Sequence, residues 1–207
     1  MEQLLYYWAM RTVDPEQHAR KRAAILYAAA VEFATHGVDG TSTARICRRA
    51  GIGSGTLFHY FATKRAIFHA LFGDDFEKNA AACRQALDLG DPAAGLDALL
   101  EHLLADLGDP LVPGLAAAVL FEVNRDEEFA RLVAADEART RAALTTLVQR
   151  LAAAGRTPLF APARVAGWIH RLVDSGYLGA GEPGFDPVAH AAELRRIVAW
   201  LTGRAPS

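Results

Sequence analysis

Thr41-Ser42-Thr43-Ala44-Arg45-Ile46-Cys47-Arg48-Arg49-Ala50-Gly51-Ile52-Gly53-Ser54-Gly55-Thr56-Leu57-Phe58-His59-Tyr60-Phe61-Ala62-Thr63-Lys64 reads as two short helices joined by a glycine turn. Ser42 is a hydroxyl N-cap for a helix from about Thr43 to Ala50, where it satisfies a backbone N–H that has no intrahelical partner. Gly51 ends that helix, because a tight helix–helix turn needs a left-handed residue and glycine adopts that conformation without a side-chain penalty. Ile46, Ala50, Ile52, Leu57 and Phe61 fall at helical or turn spacing and form one small core, so the two helices cross. Cys47 is small where the helices must approach. A helix of this kind fits the DNA major groove with its N-terminal residues at the base edges, while the helix before it crosses the backbone. Ser54, Thr56 and His59 are then the candidate base readers. A glycine-turn helical hairpin is also common in all-α proteins, so the surrounding residues decide between the two readings.

Outward from the turn the pattern becomes specific. Ile25-Leu26-Tyr27-Ala28-Ala29-Ala30, Phe33-Ala34 and Gly37 precede it, and Gly55-Thr56-Leu57-Phe58-His59-Tyr60-Phe61 with Lys64 completes it. Arg22 to Phe72, about a quarter of the chain, resembles without gaps the N-terminal domain of the tetracycline-repressor (TetR) family of bacterial transcription regulators. The resemblance implies that Ser54, Gly55, Thr56 and His59 face bases and that Ser42, Thr43, Tyr60 and Lys64 hold phosphates. Phe58 departs from the family, which usually has a tyrosine there whose hydroxyl bonds a phosphate; Arg45 is the candidate replacement. Gly53 and Ser54 stand where serine and a longer polar residue are frequent, and Arg65 replaces a common acidic residue. The reading surface is therefore sparse, which leaves room for shape-dependent recognition.

Charge agrees with this reading once it is divided along the chain. The net charge is only -2, yet His18 to Gly73 holds eight basic residues against two acidic ones, and Asp74 onward holds 13 against 19. Phosphates attract the first part and repel the second, which fixes the end that docks. Arginine outnumbers lysine 19 to 3, a bias that genomic base composition explains as well as contact chemistry does.

Other chemistries find little support. Two cysteines, Cys47 and Cys83, give no disulfide framework, and the seven histidines have no paired metal spacing. Asp186, His190 and Glu193 share a helical face, but acids at a helix start are more simply explained by the helix dipole. No nucleotide-binding glycine loop and no nucleophile motif occurs, so the expectation is no catalytic residue, no metal and no cofactor. A helical enzyme or an RNA-binding adaptor is the alternative from another class. No apolar run reaches membrane-spanning length, and the expected location is a reducing cytoplasm without membrane contact.

The rest of the chain reads as helix throughout, for an all-α fold of about nine helices. Asp14-Pro15-Glu16-Gln17 starts the first helix with an N-cap, a first-turn proline and a capping-box glutamine. The apolar stretch within residues 1–13 is an extension of unknown role: a packing arm, a partner-binding segment, or translated upstream sequence with Met10 as the start. The resemblance implies a helix-turn-helix domain over residues 14–73 and a ligand-binding and dimerisation domain over 74–207. Further helices are expected from Lys64 to Leu89, Asp91 to about Leu107, Asp109 to Asn124, Asp126 to Ala154, Pro162 to Gly179 and Pro187 to Leu201. Trp168, Leu172, Gly176 and Tyr177 line one of the last two and Leu194, Ile197, Val198 and Leu201 the other, as half of an intermolecular four-helix bundle or as internal core. Leu100, His102, Leu104, Phe121, Glu122 and Trp168 are candidates for the small-molecule pocket that the family holds in this region. The resemblance thus implies a homodimer on an inverted-repeat DNA operator, released by a small, largely apolar effector. It implies a repressor, with an activator of the same fold as the alternative.

Overall fold

Nine helices follow one another along residues 15–204, the described residues of the computed structural model, and no strand occurs among them. They are α1 (Pro15–Gly40), α2 (Thr43–Ala50), α3 (Ser54–Tyr60), α4 (Lys64–Asp88), α5 (Pro92–Leu104), α6 (Val112–Glu122), α7 (Glu127–Ala153), α8 (Pro162–Gly179) and α9 (Pro187–Leu201). The apolar stretch in residues 1–13 and the Asp14 cap lie outside the described residues.

Local chemistry sets most of the starts. Ser42 accepts from the Arg45 amide, Thr63 from Ala66, Asp91 from Ala93, Asp126 from Phe129, and Asp186 from Val188 and Ala189. Prolines stand in the first turn of α5, α6, α8 and α9, where their missing N–H costs nothing. Two boundaries differ from the sequence reading by three residues. The α5 helix stops at Leu104 rather than near Leu107, and α6 starts at Val112 rather than Asp109. The Asp109 carboxylate accepts the Leu111 amide at 2.8 Å, a turn instead of a helix cap, and Pro113 then opens α6. Within α1, Gly37 (φ 66°, ψ 174°) breaks the helical path before the chain turns into α2.

Two hydrophobic clusters organise the molecule, and α4 belongs to both. The first is aromatic: Phe33, Phe68 and Phe129 are buried, with ring centroids 5.4 Å apart for Phe33–Phe68 and 4.9 Å for Phe68–Phe129. Ile25, Ile46, Leu57 and Ile67 join it, as do Ala118 of α6 and the start of α7, so the core of the helix-turn-helix unit is completed by residues far along the chain. The second cluster is aliphatic, built from Leu96, Leu99, Leu100, Leu144, Leu147, Val165, Ile169 and Val198 with Cys83 and Ala86 of α4. The α4 and α7 helices run parallel, with contacts in chain order: His69 to Asp126, Asn79 to Asp136, and the Leu87 carbonyl to Arg150. On α6, Gly114 meets α1 backbone to backbone; a Cβ there would lie 2.1 Å from the Ala34 carbonyl oxygen.

Candidate nucleic-acid interface

The recognition element is α3, seven residues long, crossing α2 through the glycine turn. Gly51 takes the left-handed conformation (φ 65°, ψ 33°), and its N–H returns to the end of α2. Leu57 is fully buried and Phe61 nearly so, and they anchor the helix to the aromatic cluster. The opposite face is open: Ser54, Gly55, Phe58 and His59 are exposed, and Thr56 and Tyr60 are half-buried. His18, from the first turn of α1, packs on Tyr60 with centroids 4.4 Å apart and lies edge-on to His59 at 6.4 Å. The sequence reading did not include His18, whose only signal was its place near the start of a basic helix.

Glu32 fixes α2 on α1. It is 4% exposed in the middle of an apolar run, and it accepts from Arg45 Nε at 2.8 Å and Arg49 Nε at 2.7 Å. Those two hydrogen bonds outweigh desolvation and hold the Glu32 carboxyl at about 2. Arg45 also reaches the His36 ring. Thr41 Oγ1 donates to the Glu32 and Gly37 carbonyls at 2.9 and 2.8 Å and closes the turn between the helices. An acid among Ile25, Leu26 and Phe33, followed by arginines one helical turn apart, was a readable signal for this clamp.

Lys64 is also engaged within the chain. Its ammonium donates to the Val38 and Thr41 carbonyls at 2.5 and 2.7 Å, so two of three N–H donors hold the α1–α2 turn against the start of α4. Ser42 is exposed beside it and Thr43 half-buried. Exposed Lys21 and Arg48 have no ion pair among the described residues, which leaves their charge available on this side.

The start of α4 is tied to the α6–α7 junction by a residue the sequence reading did not single out. Asp126, 5% exposed, caps the Phe129 amide at 3.0 Å and accepts from Arg65 Nη2 at 2.5 Å and His69 Nε2 at 2.6 Å. Burial alone would raise this carboxyl, but the Phe129 amide, His69 and Arg65 together hold it below its ordinary value. Arg125 pairs with Asp39 next to it.

The pocket and interface candidates occupy several different settings. Leu100 and Leu104 are core residues of the aliphatic cluster, while Phe121 is 66% exposed under Arg125 and Trp168 is 43% exposed beside Arg171. His102 and Glu122 are half-buried near the ends of α5 and α6. The periodicity that selected these six does not separate core from pocket wall. Gly176 is an internal contact: a Cβ there would lie 2.8 Å from His190 Nε2 of the same chain. Leu194, Val198 and Leu201 are also buried within the protomer, and half-buried Tyr177 donates to the Leu103 carbonyl at 2.9 Å. Burial pushes the Tyr177 hydroxyl up to about 12. Among the apolar side chains that α8 and α9 leave outward are Trp168, Leu178, Val188, Ile197 and part of Leu172, together with Trp200, 65% exposed.

Comparison with known proteins points to one family. Residues 25–71 match the model described as bacterial regulatory proteins, tetR family. The HTH-type transcriptional repressor Rv1474c of Mycobacterium tuberculosis is 31% identical over 187 residues, 89% of this chain and 95% of the relative. The HTH-type transcriptional repressor AcnR of Corynebacterium jeikeium is 27% identical, over 82% of this chain and 86% of the relative. A TetR-family regulator from Agrobacterium tumefaciens shares the fold, with a TM-score of 0.73 at 22% identity, covering 88% of this chain and 98% of that one.

Proposed function

Because the chain belongs to the TetR family and is therefore a DNA-binding transcriptional regulator, we propose that it is an effector-responsive repressor that binds an inverted-repeat operator as a homodimer. The observation that carries this reading is the outward face of α3, where Ser54, Gly55, Thr56 and His59 stand free on a helix whose other side is locked into the core. These four read base edges. Ser42, Thr43, Arg45 and Tyr60 hold phosphates beside them, joined by Lys21 and Arg48. Lys64 acts chiefly by positioning the turn that carries Ser42, and Phe58 offers the backbone only an apolar contact.

One such helix is too weak to act alone, since each good base contact contributes only about 1–3 kcal/mol of discrimination. Pairing through Trp168, Leu172, Leu178, Ile197 and Trp200 doubles it and sets two recognition helices about one helical turn, roughly 34–36 Å, apart. The reading head is residues 14–73 and the regulatory part 74–207, with a small-molecule effector acting in the latter and the protein working in the cytoplasm. Effector binding shifts the population toward a state in which α4 moves against α7 and the two heads no longer match the operator. Selection of bound fragments from random duplex DNA tests the core of this reading. Enriched sites with dyad symmetry support it, and retention without sequence preference, or equal retention of RNA, refutes it.

A further inference from the structure

Between the two hydrophobic clusters lies one polar layer, on the seam of α4 and α7. Asn79 of α4 is 8% exposed, and both of its amide N–H groups are used, one on Asp136 Oδ2 and one on Thr140 Oγ1, each at 2.8 Å. Its Oδ1 is buried and has no hydrogen-bond partner. The amide cannot be turned round to cure this, because its oxygen would then face the Asp136 carboxylate, acceptor against acceptor. Of the neighbours, the Thr140 hydroxyl donates to the Asp136 carbonyl at 3.1 Å and Arg139 pairs with Asp136 Oδ1 at 2.9 Å, and neither reaches Asn79 Oδ1. Buried acceptors without partners are rare in folded chains and call for a donor from outside.

The unmet Asn79 Oδ1 thus stands beside a carboxylate whose side chain is 16% exposed. Burial pushes the Asp136 carboxyl up, against the opposing pull of Asn79, Arg139 and His170. One turn before Asn79 stands Phe76, and one turn before Asp136 stands Val133, both partly buried against the aromatic cluster. The immediate surroundings thus combine an apolar wall with an acceptor-rich end.

We propose that this seam is the polar end of the effector site, and that the effector carries a protonated amine on an apolar body. The amine donates to Asn79 Oδ1 beside the Asp136 carboxylate, whose other oxygen Arg139 holds, and the body lies against Phe76 and Val133. The proposal rests on the effector-responsive reading above and adds the chemical class of the ligand. It also places that ligand between α4 and α7, where its volume changes the spacing of the helix that carries α3.

The test titrates the full-length protein with three molecules of one skeleton: 3-phenylpropylamine, 3-phenylpropan-1-ol and 3-phenylpropionate. Melting temperature and the side-chain amide resonances of Asn79 in nitrogen-15 NMR report binding, and anisotropy of labelled DNA reports release. The amine is expected to raise the melting temperature and move the Asn79 resonances, with the alcohol weaker by about tenfold and the carboxylate inactive, since a buried charge-assisted hydrogen bond is roughly twice as strong as a neutral one. Asp136→Asn should bring amine and alcohol level; if that variant does not fold, the ranking on the wild-type protein decides. Equal responses to all three, no response at millimolar concentration, or binding that leaves the Asn79 resonances unmoved overturns the proposal. So does a crystal structure grown with the amine that holds only an ordered water on Oδ1. An amine that binds at Asn79 without releasing DNA upholds the site and sinks effector-controlled release. Release with unmoved Asn79 resonances does the reverse.

Discussion

Asp126→Ala and Asp126→Asn together separate the two tasks of the carboxylate that joins the α6–α7 junction to the start of α4. Alanine removes the cap on the Phe129 amide, a loss of about 1 kcal/mol, and strands a half-satisfied junction. The His69 contact, on a side chain only 16% exposed, adds about 1–2 kcal/mol, while Arg65, 56% exposed, adds at most about 1 kcal/mol after solvent screening. Alanine is thus expected to destabilise by about 2–4 kcal/mol, and asparagine, which keeps an acceptor for the cap, by about 1–2 kcal/mol. Urea unfolding at fixed protein concentration measures both. The pH dependence has a definite sign. The folded-state carboxyl lies below its ordinary value of 3.8, so its contribution is present above that value and fades as pH falls through the lower folded-state one. The gap between wild type and Asp126→Asn should therefore close in acid. DNA affinity should fall for every sequence alike, by up to about tenfold for each 1.4 kcal/mol taken from the docked arrangement. Equal losses for alanine and asparagine, or a gap that persists in acid, would refute the assignment.

Four further outcomes follow from the same structure. Glu32→Gln should cost about 1–3 kcal/mol at neutral pH, discounted because Arg45 and Arg49 are 42% and 44% exposed. That difference is full above the ordinary value of 4.5 and should vanish as pH falls through about 2, as urea titrations at both ends can check. His59→Ala should relax preference at one position per half-site, with a loss of about 1–3 kcal/mol on the best sequence, and an unchanged profile in fragment selection counts against it. Trp168→Glu with Trp200→Glu should yield a monomer of unchanged helical circular dichroism, since both rings are already exposed; a dimer persisting in sedimentation rejects this interface. Lys64→Met should destabilise by about 1–2 kcal/mol through the two carbonyls it abandons. It should also weaken all DNA while changing the log-affinity against log-salt slope by less than the roughly one unit that loss of a phosphate contact gives.

The helix-turn-helix was legible because its signals are local: a hydroxyl cap, a left-handed glycine and apolar residues at fixed spacing all lie within 24 residues. Most helix starts were legible for the same reason, as at Asp91, Asp126 and Asp186, whose side chains do cap. What was hidden depends on distant pairings. Arg65 looked like a departure from the family, yet its partner, Asp126, is 61 residues away and looked like an ordinary cap. Gly176 read only as one position of an apolar stripe, and its neighbour, His190 of the same chain, was not visible in it. Leu194 and Ile197 illustrate the general difficulty, since both belong to an apolar helical stripe and only the first is buried. A stripe wider than one contact serves two surfaces, and hydropathy alone does not divide it.

The missing side chain at Gly114 has a mechanical consequence. Where two helices meet through long side chains, a small push on one is absorbed by rotamer changes, and little of it arrives at the other. Here the α6 backbone rests on the α1 backbone at Ala34, with no rotatable bond between them. Such a contact has almost no compliance, because packed main chain yields far less than side chains do. A shift of α6 by a fraction of an ångström therefore reaches α1 nearly undiminished, and through the Glu32 clamp it reaches α2. The joint behaves as a bearing rather than a cushion.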